Sequence, residues 1–189
     1  LGNGAIANST YGVSIGNLTK TGDSSVSIGN KANYTLGCVN HAVTIGNTSD
    51  AAERGVAISR LACASGNSAI SIGNESDASG TCSIALGNAA SASELNGIAI
   101  GLNATNTEGN AIAIGCGATA CSFASLGIAI GEAALVTANS AVAIGKDSSA
   151  TAGAAVAIGP NVIAAKADTV SVKELETQLA GGGIYFTTP

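Results

Sequence analysis

A chain of 189 residues with a formal net charge of −5 and only 10% charged residues has no basic face with which to hold nucleic acid. Aromatics make up 3%, Met and Trp are absent and 26 residues are Gly, yet 46% are hydrophobic, mostly Ala, Ile and Val. This balance excludes a disordered chain, which is poor in β-branched residues, and a core filled with Leu and Phe; no apolar run approaches the ~18 residues of a membrane-spanning helix.

The chain opens on Leu1-Gly2, which is the end of a repeat, so the sequence is expected to be a fragment, and its ends say nothing about targeting. A string of the AIAIG kind recurs from there. Its Gly falls at Gly2, Gly16, Gly29, Gly46, Gly73, Gly87, Gly101, Gly115, Gly131, Gly145 and Gly159, with Ser59 in the same place once, and most spacings are 14. Three places before the Gly every copy from Val13 to Val156 is β-branched. One place before it stands Ile or, in Leu1 and Leu86, Leu. Between them is Ser, Thr or Ala. This alternation marks a strand with one buried face. Ranking by hydrophobicity puts the large residues inside, so Ile100, Ile114, Ile130 and Ile144 are expected to form one continuous buried stack.

After the Gly comes a frequent Asn, as at Asn17, Asn30 and Asn47; both residues tolerate positive φ and predict a tight corner. A second short strand follows. Its third place reads Thr19, Ala32, Ser49, Ala62, Ser76, Ala90, Ala104, Ala118, Ala134 and Ser148, and the fourth accepts Lys20, Asp50 and Asp77. The small side of this strand faces in. One repeat is therefore strand, corner, strand, looser corner: a flattened coil, too short for a three-sided helix. Twelve coils at ~4.8 Å make a rod of roughly 55–60 Å. The remaining face of the first strand carries Ala and Ser without charge, where a solvated sheet face collects Lys, Glu or Thr. Another chain is expected to pack there, on Ala99, Ala113 and Ala143.

Two copies are lengthened, one by three residues between Tyr34 and His41 and one by two between Thr119 and Leu126. Solenoid insertions map to loops and often to binding surfaces, which makes Tyr34, His41 and Phe123 candidate ligand residues. N-x-S/T sequons at Asn8, Asn17, Asn33, Asn47, Asn74 and Asn103 are candidate glycosylation sites. The five cysteines, Cys38, Cys63, Cys82, Cys116 and Cys121, include no CxxC pair. They read as small apolar residues, or, since their number is odd, as a source of an inter-chain disulfide. A single His and scattered acids give neither catalytic nor metal-binding residues, and no cofactor motif occurs. The chain is expected not to be an enzyme. Nor is it a Thr array of the ice-binding kind, since the column two places before the Gly changes from Ser14, Ser27 and Thr44 to Ala beyond Ser71.

Towards the end, Val156-Ala157-Ile158-Gly159 is the last full repeat. Pro160 follows where other copies carry Asn or a charge, which suits a chain leaving a ladder. Residues 160–179 are expected to cap the roll, with Lys173 to Leu179 forming two helical turns. Gly181 to Phe186 do not read as coiled-coil heptads.

These columns resemble the head domains of YadA-like trimeric autotransporter adhesins, which repeat an NSVAIG-type motif at about the same period. The matching strings include NGIAIG ending at Gly101, NAIAIG ending at Gly115 and SAVAIG ending at Gly145. The resemblance spans residues 1–165 and implies an all-β, left-handed parallel β-roll that forms a homotrimer. Residues 166–189 resemble the neck that leads to a further C-terminal part; as part of the cap, Thr169-Val170-Ser171-Val172 is expected to cross to a neighbouring chain. The resemblance implies an extracellular fibre head on a cell surface or a virion, with its own copies and a host receptor, glycan or matrix protein as partners, and without insertion into a membrane. The alternative is a purely structural spacer of a virion fibre or filament.

Overall fold

The structure, a computed structural model, describes residues 2–7, 10–36, 39–121 and 123–173. These residues form a parallel β-solenoid of short strands, without a helix. The first strands of the coils build one sheet of twelve, running from Val13–Ile15 to Val156–Ile158 and ending with Val170–Val172. The second strands build a sheet of nine, from Asp50–Ala51 to Ile163–Ala164. At the start, Ile6–Ala7 pairs separately with Lys20–Thr21. The coil lengthened after Tyr34 contributes no second strand, which is why the narrower sheet is interrupted there.

Register follows the repeat: Ile84, Ile98, Ile112 and Ile128 stand side by side, as do Ala85, Ala99, Ala113 and Ala129. The corners join the ladder too. Asn103 N–H donates to the Asn88 carbonyl at 2.9 Å and Asn110 N–H to the Leu95 carbonyl at 2.9 Å. Main-chain hydrogen bonds thus run from coil to coil at the corners as well as in the strands among the described residues, as a thin solenoid requires.

The interior is lined by small side chains from both sheets. Ala99, Ala113, Ala129, Ala143 and Ala157 of the wide sheet, Ala64, Ala78, Ala92 and Ala120 of the narrow one, and Ala90, Ala104, Ala118 and Ala134 just before its strands are fully buried. The inward placement of the second strand agrees with the sequence reading, but that of the first strand is reversed. Its Val and Ile point outward: Ile100, Ile114 and Ile130 are half-exposed and Ile144 is 40% exposed. They form no buried stack. Ala99, Ala113 and Ala143 lie inside the coil and cannot meet another chain. The Ser and Thr of the same column, Ser14, Ser27, Thr44 and Ser71, are buried as well. Ser14 pairs across the core with Thr19 at 2.6 Å and Ser71 with Ser76 at 2.7 Å, whereas the Thr44 hydroxyl donates along the same wall to Ser27 of the adjacent coil at 2.8 Å.

Two exceptions to the small-residue rule show how little room there is. Val136 is the largest fully buried side chain and Asn106 is among the next. Each faces a Gly: a Cβ on Gly127 would come 2.8 Å from Val136 Cγ1, and one on Gly97 3.2 Å from Asn106 Nδ2. The methyl removed on one wall is the volume added on the other, as close packing demands. Asn106 is held on all sides, donating to the Ala111 carbonyl and accepting from Glu108 N–H at 2.8 Å. By contrast the buried Ser83 hydroxyl has no partner among the described residues, in a column that reads Ala69, Ala111, Ala141 and Ala155 in other copies. Ser83→Ala is expected to stabilise the roll by about 1–3 kcal/mol, the desolvation cost of an unpaired hydroxyl; thermal unfolding followed by circular dichroism measures it, and an unchanged or lower midpoint would refute it.

The tight corner is where backbone conformation is most constrained. The Gly that ends each AIAIG string has φ between 114° and 148°. A Cβ on Gly101 would run into the carbonyl of Gly115 in the next coil. The Asn after the Gly is not the second special residue. Positive φ falls one place later, at Leu18, Thr48, Glu75, Asn103 and Asp147. Ser59 keeps the Gly conformation at φ 120° despite its side chain, a strain of order 1–3 kcal/mol. Ser59→Gly is expected to recover part of it, again read as a higher melting midpoint.

Pro160 does not end the ladder. One more coil follows, and Val170, Ser171 and Val172 lie in register on Val156, Ala157 and Ile158 of the same chain. The segment thus repeats the β-branched, small, β-branched pattern one period on and does not cross to a neighbour within the described residues. Lys173 stands where the corner Gly would be and has no positive φ. The expected helical turns lie, apart from Lys173, outside the described residues.

Candidate interaction surface

Outside the coil, the wide sheet presents two columns of β-branched or Leu side chains, one from each end of every strand. One runs from Val13 through Ile98 to Val170 and the other from Ile15 through Ile100 to Val172. Neither column contains a charge in any coil. Twelve strands at ~4.8 Å make this band roughly 55 Å long and about 10 Å wide. That is at the upper end of the apolar patches that monomers expose, and such patches mark interaction sites. Parallel sheets are ordinarily covered on both faces; here one face is covered by the second wall of the coil and the other is open.

The three candidate ligand residues do not converge. Tyr34 and His41 lie in the first lengthened coil, Phe123 six coils further on, or ~29 Å along the rod at ~4.8 Å per coil. Each bulge is held by a carboxylate of an adjoining coil, a feature the sequence reading missed. Asp50, itself buried, accepts the Thr35 and Leu36 amides at 3.0 and 3.4 Å. Glu108 accepts the Phe123 amide at 3.0 Å. Lys20 adds a cation–π contact, its Nζ 4.3 Å from the centre of the Tyr34 ring. Tyr34 is 43% exposed and Phe123 83% exposed. His41 is an exposed corner residue with φ 58° whose N–H donates to the Asp23 carbonyl. The readable signal was an acid in the coil next to an insertion.

Of the sequons, Asn17, Asn47 and Asn103 are exposed at tight corners and Asn74 is half-buried there. Asn33 is fully buried, because in its coil it occupies an inward place, and so it is corrected from a candidate glycan acceptor to a core residue. Asn8 lies outside the described residues. Cys63, Cys82, Cys116 and Cys121 are free thiols; Cys38 is outside the described residues. Cys63 sits on the narrow sheet between Asp50 and Asp77. Burial pushes its thiol above the ordinary value, with Asp77 and Asp50 adding to the rise and Ser65 opposing it. At neutral pH it is held as the thiol, a weak nucleophile. Among the described residues no group of three or more His, Cys, Asp or Glu could hold a metal, and no helix is long and apolar enough to cross a membrane.

The fold is thus a parallel solenoid with an Ala-filled interior and an uncovered Val/Ile face. Residues 64–88, 78–104, 126–148 and 137–161 each match a family model described as the YadA head domain repeat (2 copies). These stretches are similar to YadA head repeats, and the parallel β-solenoid is consistent with a YadA-like head. No curated protein matches the chain in a sequence search.

Proposed function

We propose that this chain is the head of a homotrimeric, surface-exposed fibre that attaches to a host cell or matrix through multivalent contacts. The observation that carries the reading is the uncharged Val/Ile face running the full length of the wide sheet. A rod that leaves this face to water forfeits the burial its thin Ala interior cannot supply. The YadA head repeats favour three chains and an adhesin-type role outside the cell or virion. Once three rods stand together, weak contacts at the exposed corners act with a raised effective concentration. The bulges at Tyr34 and Phe123 are the places where such contacts differ most from the regular coil, and the corner residues Asn17, Asn47 and Asn103 remain candidate glycan acceptors.

Light scattering of the purified chain is expected to give three times 18.0 kDa. Binding of that trimer to host cells and to a glycan and matrix panel tests attachment. A trimer that binds nothing on any of them would leave the structural spacer as the better account.

A further inference from the structure

The two bulges of the roll are alike in one respect and differ in another. Each carries an exposed aromatic, Tyr34 in the first and Phe123 in the second. In each, a carboxylate of an adjoining coil accepts main-chain N–H groups, Asp50 from Thr35 and Leu36, and Glu108 from Phe123. At the first bulge the chain itself supplies a cation to the ring: Lys20 Nζ stands 4.3 Å from the ring centre of Tyr34 and donates to the Tyr34 carbonyl at 3.4 Å. At the second, no cation lies over Phe123 among the described residues. From residue 61 to residue 145 the sequence holds five acids, Glu75, Asp77, Glu94, Glu108 and Glu132, and no Lys, Arg or His. Glu75 pairs with Arg60 and Glu132 with Lys146, while none of the ion pairs among the described residues involves Glu94 or Glu108.

Glu94 and Glu108 occupy the same corner place in consecutive coils, two residues before Asn96 and Asn110, which have φ 54° and 57°. They stand about 4.8 Å apart along the rod, and Phe123 adjoins them in the coil that follows, its amide on Glu108 at 3.0 Å. Phe123 has φ 75° and is 83% exposed. A bulky residue at positive φ is an outlier, and strain of this kind gathers where proteins bind. The ring adds nothing to the coil interior and belongs to neither column of the Val/Ile face.

We infer that the Phe123 bulge docks a basic segment of a partner protein, with a guanidinium lying on the ring and its charge met by Glu108 and Glu94. The inference rests on the reading of the rod as an attachment head, and it names the partner chemistry of one contact. Charge complementarity selects the occupant. An anionic partner would meet two carboxylates without a counter-charge, and a purely apolar one would desolvate both without pairing either. A carboxylate accepts at both oxygens, so Glu108 can hold the Phe123 amide with one and receive a donor with the other. Arg suits the place better than Lys, because its planar group stacks on an aromatic face and still presents N–H donors at its edge.

The chain has two Phe, Phe123 and Phe186, so labelling with fluorophenylalanine gives two fluorine resonances, assigned with Phe123→Leu. On addition of an oligo-arginine peptide the Phe123 resonance is expected to shift saturably, with oligo-lysine binding more weakly and oligo-glutamate without effect. Affinities follow from the fluorescence anisotropy of the labelled oligo-arginine. Glu108→Gln keeps an oxygen for the Phe123 amide and removes the charge; it is expected to weaken binding about 2- to 5-fold, the size of an exposed ion pair. Phe123→Leu keeps apolar surface but has no ring and is expected to weaken binding by about the same factor, whereas Phe123→Trp is expected to tighten it. A Phe123 resonance that stays still with oligo-arginine, or moves equally with oligo-glutamate, would overturn the site, as would a Leu variant that binds as well as the native chain. The attachment reading is separated by the binding of the assembly to host cells and to the glycan and matrix panel. An assembly that shifts its Phe123 resonance but attaches to nothing would keep the cation site and refute attachment; one that attaches while the resonance stays still would do the reverse.

Discussion

Ala113→Glu is expected to destroy the folded roll around its coil. Ala113 is fully buried between Ala99 and Ala129 of the wide sheet. The opposite wall is lined by residues such as Ala104, Ala118 and Ala120, all fully buried, so no cavity can take a longer side chain. Overpacking alone costs about 1–3 kcal/mol. An ionised carboxylate without a partner adds several kcal/mol more, and stability is only about 5–15 kcal/mol for a typical domain. Each coil stacks only on its neighbours, so the damage spreads from the centre of the rod to both sides. Circular dichroism and limited proteolysis read the result: loss of the β signal or cleavage between residues 99 and 129. If Ala113 lay on an outer face, the variant would keep its melting point and change only its assembly. A folded Ala113→Glu chain would therefore restore the orientation that the structure rejects.

That orientation is the part of the fold the sequence misled on, and the reason is physical. The period, the strand positions, the corners and the inward side of the second strand all follow from columns of residue type. The ranking of Ile and Val as interior assumes that the interior has volume to fill. In a coil of 14 residues it has almost none. The discriminating signal was present in the pattern of variation. A core restricts volume, and the column from Ala57 to Ala157 admits only Ala and Ser. An outward apolar face restricts character, and the neighbouring columns exchange Val, Ile and Leu freely. Gly127 opposite Val136 and Gly97 opposite Asn106 carry the same message, since paired volume changes occur only where walls touch. The extra coil at Val170–Val172 was hidden because Lys173 replaces the Gly by which the repeat was recognised. The carboxylates that hold the bulges, Asp50 and Glu108, were visible as charges, but their partners are main-chain amides, which leave no trace in side-chain columns.

Ile100→Lys together with Ile130→Lys is expected to leave the roll folded and abolish its assembly. The two residues share the outer column and are separated by Ile114 in register, so the new charges do not stand directly opposite each other. Both are half-exposed in the single chain, and a Lys at such a place can lay its stem along the sheet and keep its ammonium in water. The coil interior is untouched. In an assembly that closes over the face, the same two positions lose their water. Full burial of an Ile contributes about 1.5–3 kcal/mol. Six such side chains in a trimer represent on the order of 10 kcal/mol, and six ammonium groups brought together in their place repel and remain unpaired. Dissociation into single chains is therefore the expected result, seen as a fall in light-scattering mass to one third with the β signal of circular dichroism preserved. An assembly of unchanged mass would show that the Val/Ile face is not where the chains meet. Loss of both mass and β signal would show instead that the thin, Ala-lined coil cannot stand without its neighbours, and that folding and assembly in this rod are one event.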